Sequence, residues 1–180
     1  MRVFLKPGQL YISDIPTMVS TILGSCIAVT IFSKRLKIGG ICHAMLPRSP
    51  SVNENSILEY GVFRYVDGSF LYMLNKFEMM GIKKDEMEIK LLGGADVLDR
   101  VNEDTTSIGQ KNIEIAMEII RKESLRLMVS DVGGKLGRKV HFYTHTGKVL
   151  LKRINSIHSA QLLAKRIQTK PMLIEKPSMH

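Results

Sequence analysis

The sequence predicts an α+β protein with two main helices and mixed, largely antiparallel sheets. Short segments that alternate apolar and polar residues dominate the first half of the chain, as they do in half-buried strands. Only two segments place apolar residues at the spacing of a helix face. Because strands and helices do not alternate as in repeated βαβ units, an α+β architecture is favoured over a parallel one.

The composition indicates a single globular domain with a tail. The chain has 180 residues, 44% of them hydrophobic and 24% charged, which is ordinary for a soluble protein. Two cysteines do not make a disulfide framework, and the N-terminus lacks the apolar core of a signal peptide. No stretch approaches the ~18 consecutive apolar residues of a membrane span. We therefore expect a cytoplasmic protein with reduced thiols and no membrane insertion.

The net charge predicts an acidic partner. The formal charge is +9, and basic residues are concentrated near the end, in KRINSIHSAQLLAKRIQTKP. The sequence carries no RNP or helix-turn-helix signature, and its basic residues are not interleaved with aromatic ones. Nucleic-acid binding is therefore not expected.

Eight strands are predicted from alternation and β-propensity. They are QLYIS (9–13), TMVSTI (17–22), CIAVTIF (26–32), KIGGICHAML (37–46), EMEIKLL (86–92), RLMVSDV (126–132), KVHFYT (139–144) and VLLKRI (149–154). The third and fourth read as a hairpin closed by SKRL, and the last two as a hairpin with Gly147 in its turn. A polar loop, Pro47–Ser56, follows the first hairpin.

Two helices are predicted between these strands. The first runs over about 63–80, with Val66, Phe70, Leu74 and Phe77 at helical spacing and Gly81 as its C-terminal cap. The second begins near Ser107, which forms a possible capping box with Gln110. Its apolar stripe consists of Ile113, Ala116, Met117 and Ile120.

The first hairpin brings a thiol and an imidazole together. If SKRL is a four-residue loop, Phe32 pairs with Lys37 and Cys26 lies opposite His43. Directly opposed residues share a face, with Cβ atoms ~5 Å apart. A thiolate–imidazolium pair at that separation lowers the pKa of the cysteine and creates a nucleophile.

The same register predicts a structural role for Cys42. Its side chain points to the face opposite His43, across from Ile27, among apolar residues. A loop of three or five residues, or one bulge, would instead separate Cys26 from His43. Cys26 would then be an inert buried residue and His43 a hydrogen-bonded one.

The remaining histidines and glycines do not predict a cofactor. Neither the cysteines nor the other histidines (His141, His145, His158 and His180) show metal-ligand spacing. The pairs Gly93-Gly94 and Gly133-Gly134 lack a phosphate-loop pattern, so we expect tight turns or close backbone contacts there.

Several motifs, in order along residues 8–153, resemble the CheD family of chemoreceptor glutamine deamidases. They are LGSCIAVTIF, IGGICHAMLP, RYVD, LLGGAD, SIGQKN and DVGGKLGRKVHFYTHTGKV. The resemblance implies a layered α/β sandwich similar to the catalytic domain of cytotoxic necrotizing factor toxins. It also implies one deamidase domain over residues 1–154, with a basic tail over residues 155–180.

The resemblance implies hydrolysis of receptor glutamines to glutamate by a cysteine, a histidine and a threonine, without a metal or organic cofactor. The first two correspond to Cys26 and His43. The family threonine lies six residues before the cysteine, where this chain has Ser20, while Thr21 is one residue closer. We favour Ser20 as the group that orients His43, with Thr21 as the alternate.

The remaining expectations concern the oxyanion, the partners and the competing functions. Backbone N–H groups around Gly24 and Ser25 are candidates for stabilising the oxyanion. The expected partners are the cytoplasmic helical region of methyl-accepting chemoreceptors and a CheC-type phosphatase. Two alternatives stay open: a non-catalytic module that binds receptor or phosphatase, and a receptor glutamate methylesterase.

Overall fold

The structure is a computed structural model that describes residues 1–49, 62–96 and 106–154. Within these ranges the chain forms nine strands and two α-helices. The strands are β1 (Arg2–Phe4), β2 (Leu10–Ser13), β3 (Met18–Leu23), β4 (Ile27–Ser33), β5 (Ile38–Cys42), β6 (Met87–Gly93), β7 (Arg126–Val132), β8 (Gly137–Tyr143) and β9 (Val149–Ile154). The helices are α1 (Val66–Met79) and α2 (Ile108–Lys122).

The strands form two sheets. A four-stranded sheet has the order β1-β3-β8-β9, and a five-stranded sheet has the order β2-β5-β4-β6-β7. The pairs β1–β3 and β6–β7 are parallel, and the other neighbours are antiparallel. A parallel pair needs a crossover connection, which α2 supplies between β6 and β7. The fold therefore contains one βαβ unit, which the strand and helix pattern did not predict.

Both helices cover the same face of the five-stranded sheet. Phe70, Met73 and Phe77 of α1 are fully buried, and Ile113 and Ala116 of α2 join the same core cluster. Ser107 caps α2 as predicted, because its hydroxyl accepts the Gln110 N–H at 3.1 Å. The side chain of Gln110 bonds Glu114 instead of returning to the cap, so the capping box is not formed.

A second core lies between the two sheets. It joins residues of the four-stranded sheet to Ala28, Ile41 and Leu92 of the five-stranded sheet, and its other members are Leu5, Val19, Leu23, Val140 and Phe142. Buried Arg138 of β8 also links the sheets, donating to the Asp131 carboxylate of β7 at 2.7 Å. The fold is thus three layers: a sheet, a sheet and a pair of helices.

The register of the β4–β5 hairpin differs from the prediction by two residues. Ser33 pairs with Ile38 and Phe32 with Gly39, so the loop is residues 34–37 rather than SKRL. Lys37, the last residue of this loop, adopts a left-handed backbone conformation with a φ of 54°. Both ends of the loop move by one residue, so each cross-strand partner moves by two. A shift of two preserves the face on which every side chain lies.

The predicted fold class is confirmed: the protein is α+β, with two helices and two mixed, largely antiparallel sheets. All eight predicted strands and both helices are present, and β1 was not predicted. The likeness to cytotoxic necrotizing factor toxins and the domain boundary at 154 stay predictions. The tail and part of the Pro47–Ser56 loop lie outside the described residues. Neither described helix has the length and hydropathy needed to cross a membrane.

Candidate functional site

Thr21, not Ser20, meets His43. Thr21 Oγ1 lies 2.7 Å from His43 Nδ1, in the interior between the two sheets. Ser20 faces the other side of β3, where its hydroxyl lies 2.7 Å from His141 Nδ1. The expectation that Ser20 would face His43 is therefore wrong. The physical reason is that Val19, Thr21 and Leu23 form the buried face of β3, and neighbouring residues alternate in direction.

The hydrogen bonds of Thr21 define the tautomer of His43. The Thr21 hydroxyl donates its single proton to the Leu5 carbonyl at 2.8 Å. It can therefore only accept from His43, so the ring carries its proton on Nδ1. This leaves a lone pair on Nε2, and Nε2 has no hydrogen-bond partner in the part of the chain that the structure describes.

Both backbone groups of His43, its N–H and its carbonyl, are hydrogen-bonded. His43 N–H donates to the Gln9 carbonyl at 2.9 Å, and the His43 carbonyl accepts the Gly8 N–H at 2.8 Å. The side chain is 2% exposed, and this burial lowers the pKa of the imidazole to about 4. His43 is accordingly a neutral, oriented base at physiological pH.

Cys26 follows a loop whose carbonyl groups are all bound to the protein. The Gly24 carbonyl accepts the Ala95 N–H at 2.8 Å, and the Cys26 carbonyl accepts the Gly94 N–H at 2.8 Å. The carbonyl between them, that of Ser25, accepts Asn112 Nδ2 at 3.0 Å. The segment Gly24–Cys26 is therefore fixed by three donors from two other elements.

The amide N–H groups of this loop point the opposite way. The C=O and N–H of one trans peptide unit point in opposite directions, and the described residues contain no cis peptide bond. The N–H groups of Ser25 and Cys26 therefore point away from the donors that hold Gly24 and Ser25. Within the described ranges no carbonyl accepts either N–H.

The thiol of Cys26 is neutral rather than ionised. Desolvation raises its pKa to about 11, and only the backbone N–H acts in the other direction. Burial therefore disfavours both charged forms of the expected thiolate–imidazolium pair. Cys42 is completely buried in the helix-side core, and burial raises its pKa as well.

Cys26 and His43 lie on one face of the β4–β5 hairpin but are not opposite each other. Ile27 bridges Ala44, so His43 is opposite Ala28 and Cys26 is one step along the same face. Such diagonal neighbours are about 7–8 Å apart at Cα, within reach of a long side chain. Cys42 points to the other face, as predicted, but it lies opposite Val29 rather than Ile27.

The two glycine pairs form the close backbone contacts that the sequence predicts. A Cβ on Gly93, whose φ is 106°, would collide with the Cys26 carbonyl oxygen. Gly133 N–H donates to the Gly93 carbonyl at 2.9 Å, so the two glycine pairs are hydrogen-bonded to each other. This contact allows the end of β6 to support the Cys26 loop directly.

Asn112 is a site residue that the sequence analysis did not single out. It is fully buried in α2, and its Nδ2 donates to the carbonyls of Ser25 and Met45 at 3.0 and 3.1 Å. The signal was present in the sequence, since position 112 lies four residues before Ala116 on the apolar stripe. A polar residue on such a stripe indicates a specific buried hydrogen bond.

The assembled groups are those of acyl-transfer chemistry. At the ends of β3, β4 and β5 lie a thiol, a neutral imidazole and two amide N–H groups, and within the described residues neither the imidazole Nε2 nor the two N–H groups have a hydrogen-bond partner. Among residues 1–49, 62–96 and 106–154, no group of three His, Cys, Asp or Glu side chains is placed to hold a metal ion.

Comparison with known proteins gives a consistent result. Residues 45–153 match the family model described as CheD chemotactic sensory transduction. A probable chemoreceptor glutamine deamidase CheD 2 of Geobacter sulfurreducens is 43% identical over 154 residues, 86% of this chain and 91% of the relative. Proteins named probable chemoreceptor glutamine deamidase CheD are 39% identical in Maridesulfovibrio salexigens, over 85% of this chain and 92% of the relative. A protein of the same name in Methanococcus maripaludis is 32% identical, over 83% of this chain and 93% of the relative.

Proposed function

The chain belongs to the CheD family, and on that premise we propose that it is a chemoreceptor glutamine deamidase with Cys26 as nucleophile and His43 as base. The observation that carries this proposal is the Thr21–His43 hydrogen bond on the hairpin face that also carries Cys26. It leaves His43 Nε2 without a partner among the described residues. The site residues proposed are Cys26, His43 and Thr21, with the N–H groups of Ser25 and Cys26 for the oxyanion.

The first half of the proposed reaction forms a thioester. Sγ of Cys26 attacks the carboxamide carbon of a receptor glutamine while His43 Nε2 takes the thiol proton. The carbonyl oxygen becomes an oxyanion, which accepts from the N–H groups of Ser25 and Cys26. The tetrahedral intermediate collapses by breaking the C–N bond, and the imidazolium gives its proton to the departing ammonia.

The second half releases glutamate. Neutral His43 takes a proton from water, the resulting hydroxide attacks the thioester carbon, and the C–S bond breaks. The sulfur recovers its proton from the imidazolium, so the enzyme returns to its starting state. The net reaction consumes one water and releases one ammonia for each glutamine.

The elevated pKa of the thiol bears on this mechanism. A preformed thiolate is not required, because proton transfer to His43 accompanies the attack on the substrate. Thr21 keeps the proton on Nδ1 throughout, because its own proton is committed to the Leu5 carbonyl.

The basic charge supports an acidic protein substrate. The net charge of +9 favours the glutamate-rich helical region of chemoreceptors, and attraction of this kind weakens with salt. A cytoplasmic receptor region requires the enzyme to act in the cytoplasm, where the free thiols Cys26 and Cys42 stay reduced. Family membership also supports a CheC-type phosphatase as a second partner.

The test is ammonia release from a purified receptor cytoplasmic fragment. Wild type is expected to release ammonia and to raise the fragment mass by about one dalton per glutamine, through the acyl-enzyme route. Cys26→Ala is expected to do neither, while the matched variant Cys42→Ala retains activity. Release of methanol from methylated fragments without ammonia would establish a methylesterase instead. Binding without either product would establish a non-catalytic module.

A further inference from the structure

We propose that Asn112 is a positioning residue that orients the oxyanion-stabilising N–H group of Cys26. This inference rests on the proposed function, in which a Cys26 acyl-enzyme forms through an oxyanion. It is carried by the contacts of one buried side chain. Asn112 Nδ2 bridges the carbonyl of Ser25, just before the nucleophile, and the carbonyl of Met45, two residues after His43.

The orientation of the Asn112 amide follows from its neighbours. The reverse orientation would put Oδ1 against two carbonyl oxygens, which have no proton to donate. The observed orientation leaves Oδ1 fully buried and without a partner in the residues that the structure describes. An unpaired buried oxygen lowers the stability of the folded protein, and a smaller apolar residue at position 112 would avoid this loss. The favourable contribution of this side chain is the pair of hydrogen bonds that Nδ2 donates.

Those two bonds connect the halves of the site. Ser25 belongs to the loop that carries Cys26, whereas Met45 belongs to the segment that carries His43. The direct backbone link between these segments is the Ile27–Ala44 pair, with bonds of 3.0 and 2.9 Å. Asn112 adds a further link, through the carbonyls two residues before Ile27 and one residue after Ala44.

The tie to Ser25 acts on the Cys26 N–H through peptide planarity. The Ser25 carbonyl and the Cys26 N–H belong to one rigid peptide unit and point in opposite directions. Holding the carbonyl against α2 therefore aims the Cys26 N–H away from α2. Without Asn112 this peptide loses its own restraint, while the carbonyls on either side stay bound to Ala95 and Gly94, and the Cys26 N–H is less firmly oriented toward the developing oxyanion.

Two reagents separate this role from general support of the loop. Acylation of Cys26 by p-nitrophenyl acetate forms the Sγ–C bond and expels p-nitrophenolate through an oxyanion intermediate. Alkylation by iodoacetamide also forms an Sγ–C bond and expels iodide, but no oxyanion develops. A residue that orients the Cys26 N–H affects the first reaction and not the second. Neither reagent depends on the receptor substrate.

The variants are Asn112→Ala and the equally sized Asn112→Asp, which replaces the donor with an acceptor. Both are expected to lower the acylation rate by about 10- to 100-fold while alkylation stays within about threefold of wild type. Deamidation should lose kcat by a similar factor at nearly constant KM. Asn112→Leu, which is close to asparagine in size and has no donor, replaces the alanine variant if that variant does not fold. Ile120→Ala, buried on the same helix, controls for loss of stability and should leave both rates unchanged.

The inference is overturned if acylation by the Asn112 variants equals that of wild type, or if acylation and alkylation fall together. It is also overturned if folded wild type reacts with neither reagent at Cys26. Failure of the proposed function looks different: wild type releases no ammonia from receptor fragments, yet the contrast between the two reagents persists.

Discussion

Thr21 and His43 are joined across the interior of the protein, with Oγ1 and Nδ1 2.7 Å apart. Thr21 belongs to the four-stranded sheet, whereas His43 follows the last residue of β5 in the other sheet. The contact therefore depends on how the two sheets pack. It also depends on Leu5, whose carbonyl takes the hydroxyl proton and so makes Thr21 an acceptor for the imidazole.

Removing the Thr21 hydroxyl is expected to reduce turnover. Thr21→Val preserves the shape of the side chain but leaves Nδ1–H without its acceptor, so the ring can turn or change tautomer. We expect kcat for ammonia release to fall by one to three orders of magnitude, about 1.4–4 kcal/mol of barrier. Thr21→Ser should retain activity. Ser20→Ala, on the other face of β3, is the control, and a loss confined to that variant would contradict the assignment.

The two thiols are expected to differ in reactivity. Cys26 is half-buried and Cys42 is completely buried, so iodoacetamide should modify Cys26 first in the folded protein. Because burial raises the pKa of Cys26 to about 11, its labelling rate should rise about tenfold per pH unit between pH 7 and 10. Peptide mapping after timed labelling measures both rates. A rate that levels off near neutral pH would show a preformed thiolate.

Acid should destabilise the protein through His43. Burial lowers its pKa from 6.5 to about 4, so between these values the unfolded chain binds a proton that the native protein does not. Stability is therefore lost as pH falls through this window, by about 3 kcal/mol in total. Urea unfolding at pH 7 and pH 4.5 should show a drop about 2 kcal/mol larger in wild type than in His43→Asn. Equal drops in the two proteins would mean that His43 protonates normally.

The lowered pKa of His141 acts in the same direction and is common to both proteins in that comparison. Its pKa is lowered by desolvation first and then by the charges of Lys139 and Arg2. His141 therefore contributes to acid sensitivity without altering the difference between wild type and His43→Asn.

Gly93 is expected to tolerate no side chain. Its φ of 106° is unfavourable for other residues, and a Cβ would collide with the Cys26 carbonyl. Gly93→Ala should lose more than about 3 kcal/mol of stability, and the folded fraction should lose activity because the Cys26 loop is displaced. Gly134→Ala is the control, because Gly134 has a φ of 70° but no atom lies within 4 Å of an added Cβ. This variant introduces backbone strain without a steric collision. Gly134→Ala should lower the free energy of unfolding by about 1 kcal/mol. Similar losses of stability for the two variants would contradict the inferred collision with the Cys26 carbonyl.

Much of the site was determined by the sequence itself. Side chains in a strand alternate with a period of two, so the hairpin pattern predicts that Cys26 and His43 share a face and that Cys42 does not. The actual loop, residues 34–37, moves each partner by two, and a shift of two leaves every face unchanged. The assignment of faces was therefore correct although the predicted cross-strand pairs were wrong.

The tertiary structure alone decided which hydroxyl meets His43 and what holds the Cys26 loop. In MVSTIL both faces of β3 read apolar, hydroxyl, apolar, so alternation cannot distinguish Ser20 from Thr21. The packing of the two sheets makes the distinction, by burying Val19 and Leu23 and with them Thr21. The contacts of Asn112 and Gly93 with the loop likewise join residues far apart in the chain. Local periodicity determines directions within an element, whereas contacts between elements are determined by how their surfaces fit together.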